Sequence, residues 1–145
     1  MSCTCIIPFF NEYDRILKVL DEVLKVKLID EIILVDDGST DSTTEIVKKH
    51  YPSLKILNNL RNLGKTGAIK IGLQQAKGDY ILLLDADLRN LNYNEIEAAI
   101  TKIRDGRGID MIVLRRINAP FFIKLVRGDI LVSGERILKK EDLKK

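Results

Sequence analysis

Two pairs of aspartates that follow apolar runs of strand length are the residues of this chain best suited to chemistry. Asp36 and Asp37 end one run, and Asp85 and Asp87 end another. Ligands of open α/β sheets bind at the carboxyl ends of the strands. Because residues i and i+2 of a strand point to the same side, the carboxylates of Asp85 and Asp87 can converge on one hard cation. The pair predicts a Mg²⁺ or Mn²⁺ site that neutralises a departing diphosphate, with a solvated loop pair as the alternative.

A glycine-rich, basic segment at residues 64–67 is a candidate for binding a diphosphate. It resembles the end of a P-loop, but the glycine that a P-loop requires five residues before Gly64 is Asn59. No G-x-G-x-x-G follows a predicted strand, which argues against a dinucleotide-binding Rossmann enzyme. The segment precedes a predicted helix, so Lys65 and the backbone amides of the first turn are available to an anion. A tight turn with a solvated lysine is the other interpretation.

Alternating apolar runs and amphipathic segments predict the elements that must position these residues. The predicted strands are Cys3–Phe9, Glu31–Val35, Leu54–Leu57, Tyr80–Leu84 and Met111–Leu114. The predicted helices are Glu12–Lys27, Thr44–Lys49, Thr66–Ala76, which Gly78 would close, and Asn94–Arg104. This order predicts an α/β fold with a mostly parallel sheet and helices on both faces.

Composition and charge limit the class of protein. The chain has 145 residues, of which 46% are apolar and 31% charged, so we expect a single domain over residues 1–145 with a real core. No apolar stretch approaches the length of a membrane span and no signal peptide is evident, which favours a cytoplasmic protein. Cys3 and Cys5 point to the same side of the first strand and are expected in the core, because no second Cys/His cluster completes a metal site.

Positive charge is concentrated in the C-terminal part of the chain. Residues 1–101 carry 12 Lys/Arg against 15 Asp/Glu, whereas residues 102–145 carry 12 against 6. We expect no nucleic-acid partner, because the aromatic interleaving of a stacking surface is missing and no helix-turn-helix or zinc-finger spacing occurs. A phosphate-rich ligand or an anionic lipid surface fits the charge as well.

Five motifs together resemble, in order and spacing, the family 2 glycosyltransferases of the GT-A (Rossmann-like) fold. They are Ile6–Glu12, Val35–Thr43, Asn62–Ala68, Lys77–Tyr80 and Asp85–Asp87. The resemblance covers about residues 3–115. It implies an inverting transferase that uses a nucleotide-diphospho-sugar, with UDP or GDP as the nucleotide, and a divalent metal.

The same resemblance implies which residues hold the donor. Three residues at or after the end of the first strand would line the nucleoside pocket: Pro8, Asn11 and Glu12. Asp37 would accept a hydrogen bond from the base, and Lys65 would lie near the nucleotide. Asp85 would face the ribose and the metal, and Asp87 would be the main metal ligand.

Beyond Arg116 the match to the family is thinner. Residues 133–140 look like the Ser-Gly-x-Arg segment of the polyprenyl-phosphate sugar synthase branch, in which the arginine, here Arg136, lies close to phosphate. This branch implies a polyprenyl phosphate as the acceptor. An inverting displacement needs a carboxylate that takes the acceptor's proton, for which we prefer Asp129, with Glu135 as the alternative. The spacing before the segment departs from the family pattern, and the chain is short on its C-terminal side.

Other interpretations remain open at this stage. Phe121–Arg127 is apolar with two basic residues; it either contacts a membrane interface near a lipid acceptor or packs in the core. The short C-terminal part is also consistent with a catalytically weak nucleotide-sugar binding module. A sugar-phosphate nucleotidyltransferase would share the sheet, but it needs a glycine-rich, basic signature near the first strand, where Pro8–Asn11 stands.

Overall fold

Strands and helices alternate along the chain, as the hydrophobic periodicity predicts. The structure, a computed structural model, describes residues 1–105, 111–113 and 135–144; for residues 111–113 and Lys144 it describes the backbone alone. The elements are β1 (Cys3–Phe9), α1 (Ile16–Val23), β2 (Glu31–Asp36), α2 (Thr43–His50), β3 (Lys55–Asn58), α3 (Gly64–Gln75), β4 (Tyr80–Leu83), α4 (Tyr93–Arg104), β5 (Met111–Val113), β6 (Arg136–Lys139) and a 3₁₀ helix (Lys140–Lys144).

The described strands form one mostly parallel sheet in the order β3-β2-β1-β4-β6-β5. β1 pairs in parallel with both β2 and β4, and β2 pairs in parallel with β3. β6 is antiparallel to both of its neighbours, β4 and β5. The predicted α/β sheet is therefore confirmed, but β6 was not predicted. Only Ile137 and Leu138 are apolar in it, and two residues are too few to show a strand pattern.

Helices pack on both faces of the sheet, as predicted. Cys3, Cys5 and Ile7 of β1 point to the face that α1, α2 and α4 cover, while Ile6 points to the face that α3 covers. Both cysteines are fully buried, which confirms their place in the core. Burial raises the pKa of the Cys3 thiol to about 11, so this thiol stays protonated and unreactive at neutral pH.

Two predicted helices have bounds that the structure corrects by two residues or more. The helix predicted over Glu12–Lys27 is only Ile16–Val23. Before it, the Glu12 carbonyl accepts from the Arg15 N–H at 3.1 Å as well as from the Ile16 N–H at 3.0 Å, and after it the chain continues in i→i−3 turns such as that from the Lys25 N–H to the Glu22 carbonyl at 3.1 Å. α3 begins at Gly64 rather than at Thr66, and it ends at Gln75 rather than Ala76. Gly78 does not close it through a left-handed turn. Gly78 lies against β1 instead, where an added Cβ would come 2.6 Å from the Thr4 nitrogen.

The described helices are all short. None of them is both long enough and apolar enough to cross a lipid bilayer. α3 and α4, the longest, have 12 residues each, and each presents one buried face to the sheet and one polar face to solvent.

Candidate functional site

A cavity of about 290 Å³ opens at the carboxyl ends of β1, β2 and β4. The chain runs from β1 outward to β2 and β3 and then returns to β4 on the other side of β1, so the strand order reverses at this point. Such a switch point is where open α/β sheets bind their ligands. The structure brings together here most of the residues predicted to hold a donor and a metal, namely Pro8, Glu12, Asp37, Lys65, Asp85 and Asp87.

Asp85 and Asp87 stand just after β4, with the buried Ala86 between them. The Lys65 ammonium group, at the start of α3, forms an ion pair with Oδ1 of Asp85. Asp85 is 21% exposed and the lysine 49%, so the pair lies at the wall of the cavity rather than inside the core. Asp87 forms no ion pair with any described residue. One carboxylate of the pair is thus paired with a lysine, and the other has no cationic partner among the described residues.

The acidic wall of the cavity can hold a hard cation only with help from a ligand. Within the described residues no three His, Cys, Asp or Glu side chains come together as a metal site. Two carboxylates fit Mg²⁺ or Mn²⁺, which take one or two protein carboxylates and complete their shells with diphosphate oxygens and water. The same two ligands do not suit structural zinc, which needs four protein ligands.

Glu12 adds negative charge near Asp87. Burial raises the pKa of the Glu12 carboxyl, the neighbouring Arg15 lowers it, and the charge of Asp87 raises it further. Arg15 Nε lies 2.7 Å from Glu12 Oε2 and forms an ion pair with it. The electrostatic coupling between Glu12 and Asp87 places a negative potential where a cation is expected.

The adjacent residues Asp36 and Asp37 form hydrogen bonds with different segments. Asp36 stabilises the following turn: its Oδ1 accepts from the Ser39 N–H at 2.7 Å, and its Oδ2 accepts from the Thr44 hydroxyl. Asp37, at the cavity, accepts two hydrogen bonds on Oδ1, from Asn59 Nδ2 at 2.8 Å and from the Leu63 N–H at 2.9 Å. Asp37 is only 4% exposed and is therefore held in one orientation.

Asn11 does not line the cavity. It adopts a left-handed backbone conformation with φ 52°, and its Oδ1 accepts from the backbone N–H groups of Thr40 at 2.8 Å and Asp41 at 3.2 Å. Its own N–H donates to the Ser39 hydroxyl at 3.0 Å. Asn11 therefore connects the loop after β1 to the loop after β2. Its contact with the nucleoside stays a prediction.

Of the two residues predicted for catalysis, Arg136 lies within the described residues and Asp129 does not. Arg136 begins β6 and pairs in register with Leu83, two positions before Asp85, so it lies near the same edge of the sheet. Its Nε is buried and has no hydrogen-bond partner among the described residues. Glu135 beside it is 3% exposed. Asp129 and the apolar segment Phe121–Arg127 lie outside the described residues.

Asn59 is the residue of this site that sequence reasoning missed. From the sequence, Asn59 is notable only because a P-loop would need a glycine at its position. A polar residue directly after a strand is a weak signal, but its place between β3 and the basic start of α3 is consistent with a site residue.

The fold and site define an α/β domain with a polar cavity at a topological switch point. Residues 4–143 match the family Glycosyl transferase family 2. The chain belongs to this family, which confirms the resemblance of the five motifs.

Several proteins of similar sequence have a polyprenyl phosphate in their names. The chain is 38% identical over 94 residues to a dolichyl-phosphate beta-glucosyltransferase of Trichomonas vaginalis, a match that covers 57% of this chain and 29% of the relative. It is 30% identical over 126 residues to the dodecaprenyl-phosphate galacturonate synthase of Rhizobium johnstonii, covering 81% of this chain and 37% of the relative. The chain spans about a third of the length of the curated relatives it matches.

Solved structures show the same fold. Glucosyl-3-phosphoglycerate synthase from Mycobacterium tuberculosis, in complex with phosphoglyceric acid, is 25% identical and superposes with a TM-score of 0.79 over 97% of this chain and 57% of that one. Another structure of that enzyme, 24% identical and with a TM-score of 0.77 over 97% of this chain and 57% of that one, contains Mn²⁺, UDP-glucose and phosphoglyceric acid. The GT-A architecture expected from the sequence is thereby confirmed.

Proposed function

We propose that this chain binds a nucleotide-diphospho-sugar together with Mg²⁺ or Mn²⁺ and transfers the sugar with inversion to a polyprenyl phosphate. The observation that carries the proposal is the cavity at the switch point. It unites a carboxylate fixed by two hydrogen bonds, a lysine at a helix start and two strand-end carboxylates. Base, diphosphate and metal each have a matching group within this one cavity.

The nucleoside, the diphosphate and the metal of the donor complex bind to different residues of the cavity. The nucleoside lies against Pro8 and Glu12, and the free oxygen of Asp37 accepts a hydrogen bond from the base. The diphosphate lies near Lys65 and the amides at the N-terminus of α3, which favour an anion. Asp85 and Asp87 would hold the metal, which supplies neutralisation of the charge on the leaving diphosphate.

The acceptor side rests on fewer residues. Arg136 has a buried Nε without a hydrogen-bond partner among the described residues and lies near the end of β4, so it is suited to bind the phosphate of the acceptor. Asp129 would take the proton of an acceptor phosphate that is still singly protonated, while the diphosphate leaves from the opposite face of the sugar; the fully ionised phosphate attacks without a base. The relatives that act on dolichyl and dodecaprenyl phosphates support a lipid phosphate as acceptor. Such an acceptor implies peripheral contact with the inner face of a membrane in a cytoplasmic protein.

Calorimetric titration with UDP and GDP, with and without Mn²⁺, tests the donor site. We expect metal-dependent binding of at least one of them. Asp37→Ala should weaken UMP binding too, by about 1–3 kcal/mol, because UMP has the base but no diphosphate. Absence of nucleotide binding in the presence of Mn²⁺ would refute the donor site. A loss confined to diphosphates would place Asp37 at the metal instead.

Transfer itself is tested by incubating the chain with donor, Mn²⁺ and a short polyprenyl phosphate. We expect a sugar-lipid product whose anomeric configuration, read by NMR, is opposite to that of the donor. Retention would refute the inverting mechanism. Tight donor binding with neither transfer nor hydrolysis would favour the nucleotide-sugar binding module.

A further inference from the structure

The loop between β3 and α3, residues 59–63, is fixed to Asp37 at both of its ends. At the start of the loop, Asn59 Nδ2 donates to Asp37 Oδ1 at 2.8 Å. At its end, the Leu63 N–H donates to the same oxygen at 2.9 Å. The Asn59 backbone N–H also donates to the Asp36 carbonyl at 2.8 Å, so the asparagine is held by its main chain as well as by its side chain.

Close packing leaves this loop little freedom. Gly38, with φ 82°, lies so near it that an added Cβ would come 2.9 Å from the Arg61 carbonyl carbon. Asn62 accepts from the Gly64 N–H at 2.9 Å and lines the cavity. The amide of Asn59 is thus directed at Asp37 by the surrounding backbone.

Two hydrogen bonds saturate one oxygen of the Asp37 carboxylate. A carboxylate oxygen has two in-plane lone pairs, and Oδ1 uses both for Asn59 and Leu63. Oδ2 accepts no hydrogen bond within the described residues. Because the residue is 4% exposed, the carboxylate cannot rotate freely to offer Oδ1 instead. Asp37 therefore presents a single acceptor to a ligand in the cavity.

A single acceptor discriminates between nucleobases. Uracil offers one N–H, flanked by two carbonyl groups, and needs one acceptor. Guanine offers a ring N–H beside an exocyclic NH₂, a pair that a carboxylate satisfies best with both oxygens. With Oδ1 occupied, a bound guanine would leave one donor unmatched in a nearly buried place, and unmatched donors are costly there.

We propose that Asn59 is a positioning residue that makes Asp37 a single acceptor and thereby selects a uracil donor over a guanine donor. This inference rests on the proposed function, because it assumes that the cavity binds a nucleotide. It assigns the base of the donor and the residue that enforces the choice.

The test compares UDP and GDP affinities by calorimetry in the presence of Mn²⁺ for the unmodified chain and three variants. Asn59→Leu keeps the size of the side chain and removes the amide donor. Asn58→Ala is the matched control, since Asn58 is the preceding residue and is exposed. Asn59→Ala, with melting temperatures for all variants, provides a second measurement in case the leucine disturbs the loop.

We expect the unmodified chain to prefer UDP. In both Asn59 variants the ratio of UDP to GDP affinity should fall by about tenfold, the size expected for one hydrogen bond to a charged group. Asn58→Ala should leave the ratio unchanged. If Asn59 had only a structural role, its replacement would lower the affinities for UDP and GDP by the same factor. An unchanged ratio of the two affinities would therefore overturn the proposal.

The outcomes separate this inference from the function on which it rests. If the unmodified chain binds GDP as well as or better than UDP, the choice of base is wrong while the nucleotide site stands. If it binds neither nucleotide, the proposed function fails together with the inference.

Discussion

Lys65 and Asp85 form an ion pair that connects the start of α3 to the end of β4 across the wall of the cavity. The ammonium group occupies an oxygen of one of the two carboxylates expected to hold the metal. We predict that a cation binding Asp85 through Oδ1 displaces Lys65, and that the displaced ammonium group then becomes available to the diphosphate. On this prediction, metal and lysine compete for Oδ1 when the nucleotide is absent and both bind the diphosphate when it is present.

Lys65→Met should separate the competition between lysine and metal from the contribution of the lysine to diphosphate binding. We expect Mn²⁺ alone to bind up to about fivefold more tightly, since a half-exposed ion pair contributes at most about 1 kcal/mol. UDP with Mn²⁺ should bind at least about tenfold more weakly, because the diphosphate loses a charged hydrogen-bond donor. Calorimetry with Mn²⁺ alone and with UDP measures both affinities. Lys70→Met, at an exposed position of the same helix, should change neither. Weaker binding of Mn²⁺ alone would contradict the competition.

Asp87→Ala should abolish the metal-dependent part of nucleotide binding and leave the fold nearly intact, because Asp87 makes no ion pair that stabilises the described structure. The same substitution should lower the pKa of the Glu12 carboxyl, since the charge of Asp87 raises it. Nucleotide titration measures the first effect and NMR titration of the carboxyl group the second. Asp14→Ala, an exposed carboxylate in the loop before α1, is the control. Unchanged affinity for the metal–nucleotide complex would remove Asp87 from the metal site.

Gly78→Ala should destabilise the chain. An added Cβ would meet the Thr4 backbone nitrogen at 2.6 Å and the Thr4 hydroxyl at 2.8 Å, and main chain in the centre of a sheet cannot move aside cheaply. We expect a loss of about 1–3 kcal/mol in the free energy of unfolding, measured by urea denaturation. Lys77→Ala, at the exposed neighbouring position, should change it by less than about 0.5 kcal/mol. Equal stability of the two variants would show that β1 does not approach Gly78 this closely.

Tyr51→Phe should change the stability of the chain at alkaline pH. The hydrogen bond from the Tyr51 hydroxyl to Asp21 raises the tyrosine pKa from 10.0 to about 12. Between these values the folded chain holds the proton and the unfolded chain does not, so stability falls as the pH rises from 10 to 12. The phenylalanine variant should show a smaller fall in melting temperature over this range.

The control for this experiment is Tyr13→Phe, an exposed tyrosine without a hydrogen-bond partner among the described residues. Its alkaline profile should match that of the unmodified chain. If Tyr51→Phe gives that same profile, the contact between Asp21 of α1 and Tyr51, the residue after α2, does not persist in solution.

Local patterns in the sequence were sufficient to predict the main strands and helices of the fold. The period of two in β1 put Cys3 and Cys5 on one face and Ile6 on the other, and both faces are buried as expected. The helix spacing of Ile16, Leu20 and Val23 likewise predicts a face that packs on the sheet. These predictions hold because burial of an apolar face depends on the order of residues within one element. Asp85 and Asp87 could be found for the same reason, since they directly follow a fully apolar strand.

Contacts between distant segments were decided only by the tertiary structure. Lys65 meets Asp85, Asn59 meets Asp37, and Gly78 meets Thr4 because the strand order β3-β2-β1-β4 brings these distant segments together. The antiparallel pairing of β6 with β4 is likewise a contact between distant segments that the tertiary structure decided. No local periodicity encodes which polar group a loop will meet, since that depends on backbone conformations and register set by the whole sheet. The sequence by itself therefore determined which residues are suited to chemistry, and tertiary packing decided which oxygen of each carboxylate remains free to perform it.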